Sequence, residues 1–375
     1  MRKQKEPEGG YFFLLSGENP ELAVYEFKSI ISTLDSPIEL RVSPDNRVIV
    51  LLANISLDES FNSDIIPYLM KRVTLVHFCA VLLYQTEYLG KPPETFYELI
   101  SSFDISRIQE LTPNQSFSVI SKRIGEPKGI LCQLNLTQEF SRYLGTQILK
   151  KNPSKRVNLE NPKEQFVTVL SNQGLWFGQF VSYSLRSEVR SRRARLRPFF
   201  HPSSMNPILQ RTMVNLGAVR ADEWLLDPFC GTGGALIEAA QLGIKSVGIE
   251  IDRKIIWGAY QNLKKYEFFN YSPHLVFGDA TQLCLKKGMV SAIVTDPPYG
   301  TAASTRGFDL KDLLLTFFQE IRSILRPNNR VVMAVPSDVD IEGQAAHILN
   351  ATYKTFFQYV HRSLTRKIIV FIIIK

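Results

Sequence analysis

Trp224-Leu225-Leu226-Asp227-Pro228-Phe229-Cys230-Gly231-Thr232-Gly233-Gly234, with Ala235 to Leu242 behind it, passes from a short apolar strand through a glycine-rich turn into a helical pattern. Missing side chains let the backbone of such a turn come close to a ligand. The alternation continues with strands at Ser246 to Glu250, His274 to Gly278, Val290 to Thr295 and Val331 to Val335, and with helical patterns at Lys254 to Tyr266 and Leu310 to Leu325. Two late strands, near Phe356 to Val360 and Lys367 to Ile374, complete the set. Strands and helices in this rhythm build a mostly parallel α/β sheet, Rossmann-like, covered on both faces. Ligands of such sheets bind outside the carboxyl ends of the strands.

Four segments fall at strand ends. In the Asp227 turn, a dinucleotide fingerprint would need a glycine three positions beyond Gly233, where Leu236 stands. No Gly-Lys-Ser or Gly-Lys-Thr follows, which excludes a phosphate-binding P-loop. Glu250, about twenty residues past the glycines, is spaced to accept hydrogen bonds from both hydroxyls of a ribose. Asp279, in Gly278-Asp279-Ala280, can accept from an adenine amino group. In this order they describe a nucleoside site. The fourth segment is Thr295-Asp296-Pro297-Pro298-Tyr299-Gly300, and with the Asp227 turn it resembles the amino-methylating S-adenosylmethionine-dependent methyltransferases.

The chemistry suits those residue types. An exocyclic amine of a nucleobase has its lone pair delocalised into the ring and is a poor nucleophile until held and rehybridised. The Asp296 carboxylate and the Pro297 carbonyl can each accept one amino hydrogen, turning the lone pair toward a sulfonium methyl. Proline adds an acceptor with no competing N–H in a restricted backbone, and Tyr299 can lie against the flat base. Positioning of this kind lowers a barrier by up to ~7 to 11 kcal/mol in intramolecular models. No metal is required.

The rest of the chain points to a polyanionic partner. Its 375 residues suffice for two to three domains, and 45% hydrophobic against 21% charged residues excludes wholesale disorder. A net charge of +8 favours nucleic acid as partner. Cys79, Cys132, Cys230 and Cys284 form no CxxC pair, which argues against a zinc site and a disulfide framework and for a reducing cytoplasm. The apolar Ile368 to Ile374 falls short of a membrane span.

Strand-like Tyr11 to Leu15, a helical pattern through Tyr25, Phe27 and Ile31, and strand-like Val48 to Leu52 suggest a small α+β unit to about residue 56. From 57 to 182 the spacing predicts a buried helix over Val73 to Tyr84 and strands at Ser116 to Ser121, Gln165 to Leu170 and Gly174 to Phe180. Two stretches there resemble the RNA-binding THUMP domain: Phe117-Ser118-Val119 with Lys122-Arg123, and Val157-Asn158-Leu159 with Asn161-Pro162 and Gly174-Leu175-Trp176-Phe177-Gly178. Between 183 and 210, Arg186, Arg190, Arg192, Arg193, Arg195 and Arg197 crowd around a single acid, Glu188, a density that suits phosphate.

Arg197-Pro198-Phe199-Phe200-His201-Pro202, Pro207 to Leu216 and His361-Arg362-Ser363-Leu364-Thr365-Arg366 extend the likeness. Taken with the motifs above, most of the chain is similar to the archaeal THUMP-containing tRNA guanosine N2-methyltransferases, which modify guanosine 10. That resemblance implies a ferredoxin-like domain at 1–56, a THUMP domain at 57–182, a basic linker at 183–210 and a class I methyltransferase domain at 211–375. It implies that Asp227, Phe229, Cys230, Gly231, Thr232, Gly233, Glu250, Ile251, Asp279 and Ala280 hold S-adenosylmethionine. Asp296, Pro297, Pro298 and Tyr299 would hold the guanine amine, and Lys122, Arg123, Arg190, Arg192, Arg193 and Arg195 would meet RNA. A tRNA partner follows, with a small zinc-binding activator as a second candidate partner. His201, between Phe200 and Pro202, reads as structural, and Cys230 as packing against the ligand. The alternatives are guanosine 6 of tRNA, an adenine or cytosine amine in DNA or RNA, and a tRNA-binding protein without catalysis.

Overall fold

The computed structural model describes residues 10–35, 38–52, 64–88, 92–103, 114–126, 128–267, 273–299, 310–361 and 364–374. Gly300, Arg362 and Ser363 of the motifs above lie outside them. The chain divides into two compact units, one of residues 1–24, 36–70 and 75–184 and the other of 25–35, 71–74 and 185–375.

The amino-terminal half runs β1 (Gly10–Leu15), α1 (Pro20–Ile31), β2 (Glu39–Val42), β3 (Val48–Leu52), α2 (Ile66–Arg72), β4 (Val76–Glu87), α3 (Phe96–Ser101), β5 (Ser116–Arg123), α4 (Leu136–Lys151), β6 (Arg156–Val157), β7 (Glu164–Leu170) and β8 (Gly174–Tyr183). Its strands make one eight-stranded sheet in the order β2-β3-β1-β4-β8-β7-β5-β6. Because β1 pairs antiparallel with β3 on one side and β4 on the other, the sheet continues across the boundary expected at residue 56. The helix expected over Val73 to Tyr84 is instead the long strand β4, set between β1 and β8. A strand apolar toward both faces shows no alternation, so its sequence resembles that of a buried helix. Phe140 of α4 packs with Phe103, Phe166 and Phe177, edge-on and stacked, in one buried cluster.

The second half continues with α5 (Arg186–Ser191), α6 (Pro207–Leu216), β9 (Trp224–Asp227), α7 (Gly234–Gln241), β10 (Lys245–Glu250), α8 (Arg253–Lys265), β11 (His274–Phe277), β12 (Ala292–Thr295), α9 (Leu310–Arg322), β13 (Arg330–Pro336), α10 (Glu342–Leu349), β14 (Ala351–His361) and β15 (Leu364–Ile373). The sheet order is β11-β10-β9-β12-β13-β15-β14, parallel through β13 and antiparallel beyond it. From β9 the chain winds outward through β10 and β11, then returns to the other side of β9 as β12. The carboxyl ends of β9 and β12 therefore flank the switch point where a ligand crevice opens. Fully buried Leu226, Ile293, Val331, Phe317, Phe318 and Phe371 fill the core against α9. Asp252 caps α8, its carboxylate accepting from the Lys254 and Ile255 amides at 2.8 and 3.0 Å. No helix among the described residues is long and apolar enough to cross a membrane.

In the stretch expected as a basic linker, Arg186–Ser191 form α5, which packs on α6. Arg192 is 4% exposed and grips Glu238 through Nε and Nη2, each at 2.9 Å, while Arg211 adds a third contact at 2.8 Å. Its assignment to RNA is therefore corrected: a guanidinium consumed by a buried carboxylate has no face to offer a phosphate. Arg197 is buried too, with its Nε donating to the Arg192 carbonyl at 2.9 Å. Arg190, Arg193 and Arg195 remain exposed.

Candidate active site

Four carboxylates stand at or just past the carboxyl ends of four adjacent strands: Asp279 after β11, Glu250 on β10, Asp227 on β9 and Asp296 after β12. The turn after β9 is built from its backbone outward. The Cys230 amide donates to the Ile249 carbonyl at 3.0 Å, and the Gly233 amide closes the turn on the Cys230 carbonyl at 2.8 Å. Gly231 and Gly233 adopt φ of +52° and +79°, the left-handed region where a Cβ is strained. A Cβ at Gly231 would meet nothing nearer than the Phe229 carbonyl at 4.0 Å, so open space lies against the turn. Asn262, fully buried on α8, holds the turn from behind by donating to the Thr232 and Phe199 carbonyls, each at 3.0 Å.

Glu250 spans the mouth of that turn. One oxygen accepts from the Gly231 amide at 3.0 Å and the other from the Asp252 amide at 2.9 Å. Asp279 accepts from the amide and hydroxyl of Thr281 at 2.9 and 2.7 Å. Asp227 is 4% exposed and accepts from the Thr295 hydroxyl at 2.8 Å. Burial pushes its carboxyl up to about 7, against the pull of Thr295 and the Phe229 amide. Burial also raises Glu250. The Cys230 thiol is pushed well up, first by burial and then by Asp227 and Glu250, so it is neutral and no nucleophile.

Asp296 is held differently. The Tyr299 hydroxyl donates to one carboxylate oxygen, and Arg366 of β15 lies 3.5 Å from the other. The same guanidinium sits over the Tyr299 ring, 5.3 Å from its centroid. Burial raises the Asp296 carboxyl to about 6, with Arg366 and then the Tyr299 hydroxyl opposing the rise. Tyr299 is itself pushed up by burial and by Asp296, so its hydroxyl keeps its proton and serves as a donor. Pro297 is buried, whereas Pro298 and Tyr299 are half-buried at the crevice wall.

The structure thus brings Asp227, Gly231, Glu250 and Asp296 to neighbouring strand ends, with Asp279 beyond Glu250 in the strand order. Lys122, half-buried on β5, lies over the Phe78 ring at 5.3 Å, and exposed Arg123 bonds the Gln133 carbonyl at 3.3 Å. His201 pairs with the Ser203 hydroxyl at 2.7 Å. Residue-type reasoning missed Thr295, which steadies Asp227, and Arg366, which steadies Asp296. A basic pair, Arg366-Lys367, at the start of an otherwise apolar strand was the available signal: β15 runs antiparallel, so its first residues lie at the carboxyl ends of the parallel strands.

The chain is similar to known methyltransferases. A family model described as an RMKL-like methyltransferase domain matches residues 194–368, and one described as a DNA methylase matches 120–261. A tRNA (guanine(10)-N2)-dimethyltransferase of Methanothermobacter thermautotrophicus is 37% identical over 62% of this chain and 68% of its own length. A protein of the same name from Pyrococcus abyssi is 38% identical over 56% of this chain and 62% of its own length. Among solved structures, a possible methylase from Clostridium difficile 630 shares the fold, with a TM-score of 0.57 at 15% identity over 98% of this chain and 99% of that one.

Proposed function

Because this chain belongs to the family of the tRNA (guanine(10)-N2)-dimethyltransferases, we propose that it methylates N2 of guanosine 10 in tRNA, once or twice, with S-adenosylmethionine as donor. The observation that carries the reading is the Asp296–Pro297–Pro298–Tyr299 corner set beside the Asp227 turn across one strand gap. The residues suit the donor. Space lies open against Gly231, Glu250 and Asp279 would meet the ribose and the adenine, and the clustered Asp227 and Glu250 carboxylates suit a cation. Bound there, S-adenosylmethionine supplies an electrophilic methyl on positively charged sulfur.

The chain's own residues prepare the amine. When a guanine enters, its amino group displaces the Tyr299 hydroxyl from Asp296, and the freed ring becomes the surface against which the base lies. The Asp296 carboxylate accepts one amino hydrogen and the Pro297 carbonyl the other, which turns the lone pair outward. As the nitrogen gains the methyl it sheds a proton, and Asp296 stands next to it as acceptor. Arg366 favours the ionised form of Asp296 that this role requires. A singly methylated amine retains one hydrogen for Asp296, so the corner supports a second transfer.

In this reading the first unit is the RNA-binding module, of THUMP type, and exposed Arg190, Arg193 and Arg195 face the tRNA backbone. Four free cysteines and a tRNA partner suit the cytoplasm. The test is incubation with isotopically labelled donor and unmodified tRNA, followed by nuclease fragmentation and mass spectrometry. N2-methylated guanosine in the fragment carrying position 10 is expected. Label at guanosine 6, on adenine or cytosine, or in a parallel duplex-DNA sample would redirect the reading, and no label at all would leave a binding protein.

A further inference from the structure

The outward face of α8 carries a stripe that neither the fold nor the methyl-transfer reading uses. Trp257 and Tyr260, 59% and 36% exposed, stack with centroids 5.0 Å apart and planes 17° from parallel. Exposed Arg253 and Lys254 precede them and exposed Lys264 and Lys265 follow. Positions 253, 257, 260 and 264 are spaced by four, three and four residues, so they share one helix face. Arg253 extends the stripe onto β11 by covering the Phe277 ring at 4.9 Å, and that ring is 51% exposed.

The helix is anchored by other residues. Gly258, Ala259, Asn262 and Leu263 form its buried side, and the Gly258 position leaves room for the Phe199 ring. The Trp257 and Tyr260 rings lie off that buried side and present a flat apolar surface between cations. The stripe also joins the arginine-rich segment: the Lys265 ammonium bonds the Leu196 carbonyl at 2.6 Å, next to exposed Arg193 and Arg195.

We propose that this stripe is a second tRNA contact, in which Trp257 and Tyr260 stack on an unpaired nucleobase while Arg253, Lys254, Lys264 and Arg195 meet the flanking phosphates. The partner class rests on the tRNA reading above. The charge argues for it, because the stripe joins a basic surface on a chain of net charge +8. Aromatic faces between cations are the form that single-stranded nucleic acid recognises, since every base has a π-face. A protein partner would be met by an uncharged aromatic patch just as well, and the cations would then be superfluous.

The experiment measures equilibrium binding of the full-length chain to an unmodified tRNA transcript, apart from turnover, so a chain that binds without methylating still decides the question. Trp257→Ala combined with Tyr260→Ala should raise the tRNA Kd at least about five-fold, the lower end for one lost base stack. Donor affinity and the slope of log Kd against log salt should stay unchanged, because stacking releases no counterions. Trp257→Phe with Tyr260→Phe should restore affinity, and Lys264→Ala should flatten the salt slope. An unchanged tRNA Kd in the double alanine variant overturns the proposal, as does sedimentation showing a wild-type dimer that this variant converts to monomer. A wild-type chain with no affinity for tRNA overturns it together with the functional reading.

Discussion

The proposed donor side and the proposed acceptor corner both present carboxylates at neighbouring strand ends, but they hold them by different means. Glu250 and Asp279 accept from backbone amides, which cannot swing away, so their oxygens are fixed whether or not a ligand is present. Asp296 is held by side chains, a tyrosine hydroxyl and a guanidinium. Side chains can leave. The difference fits the two tasks: a donor site that is the same in every cycle is best pre-set, whereas an acceptor corner must exchange a resting partner for an incoming amine.

Substitutions should divide along the same line. Asp296→Ala removes the acceptor and should lower turnover about a hundred-fold or more, since loss of alignment alone costs that much. Calorimetry should find its donor affinity unchanged, because no donor contact has been touched. Glu250→Ala should show the reverse pattern: the Gly231 and Asp252 amides lose their acceptor, donor Kd rises roughly ten- to hundred-fold, and turnover largely recovers at saturating donor. Comparable loss of donor binding in both variants would erase the distinction.

A smaller effect sharpens it. Asp296 must be ionised to accept, and its carboxyl is raised to about 6 by burial against the opposing pull of Arg366. Turnover should therefore fall as pH drops through about 6 in the wild type. Arg366→Met removes the opposing pull, so the midpoint should move upward, with Arg366→Lys between the two. An unmoved midpoint would make Arg366 a packing residue only.

Stability adds a separate check on the buried donor acid. Asp227 titrates near 7 when folded and near 3.8 in its ordinary range, so the folded chain binds more protons than the unfolded chain between those values. Stability should decline as pH rises from about 4 to 7. Asp227→Asn should abolish that decline and raise the melting temperature at pH 8, from a change of order ~4 kcal/mol at most.

Much of this was legible in the residues. The strand–turn–helix rhythm after Trp224 and the acids at strand ends set out the crevice, because loop chemistry at a parallel sheet is local in sequence. What escaped is what depends on distant contacts. β4 read as a helix since its consecutive Phe78, Cys79 and Ala80 are apolar and buried toward both faces. Arg192 read like Arg193, one residue away, because only Glu238, 46 positions later, distinguishes a consumed guanidinium from an exposed one. Arg366 lies 70 positions from Asp296, and only the antiparallel return of β15 brings them together.

The measurement that bears most directly on the acceptor corner is a crystal structure of the full chain with S-adenosylhomocysteine and a guanosine-containing tRNA. The account predicts the guanine N2 within hydrogen-bond distance of the Asp296 carboxylate and the Pro297 carbonyl, with the Tyr299 hydroxyl displaced and its ring against the base. A guanine bound elsewhere while Tyr299 still caps Asp296 would contradict it.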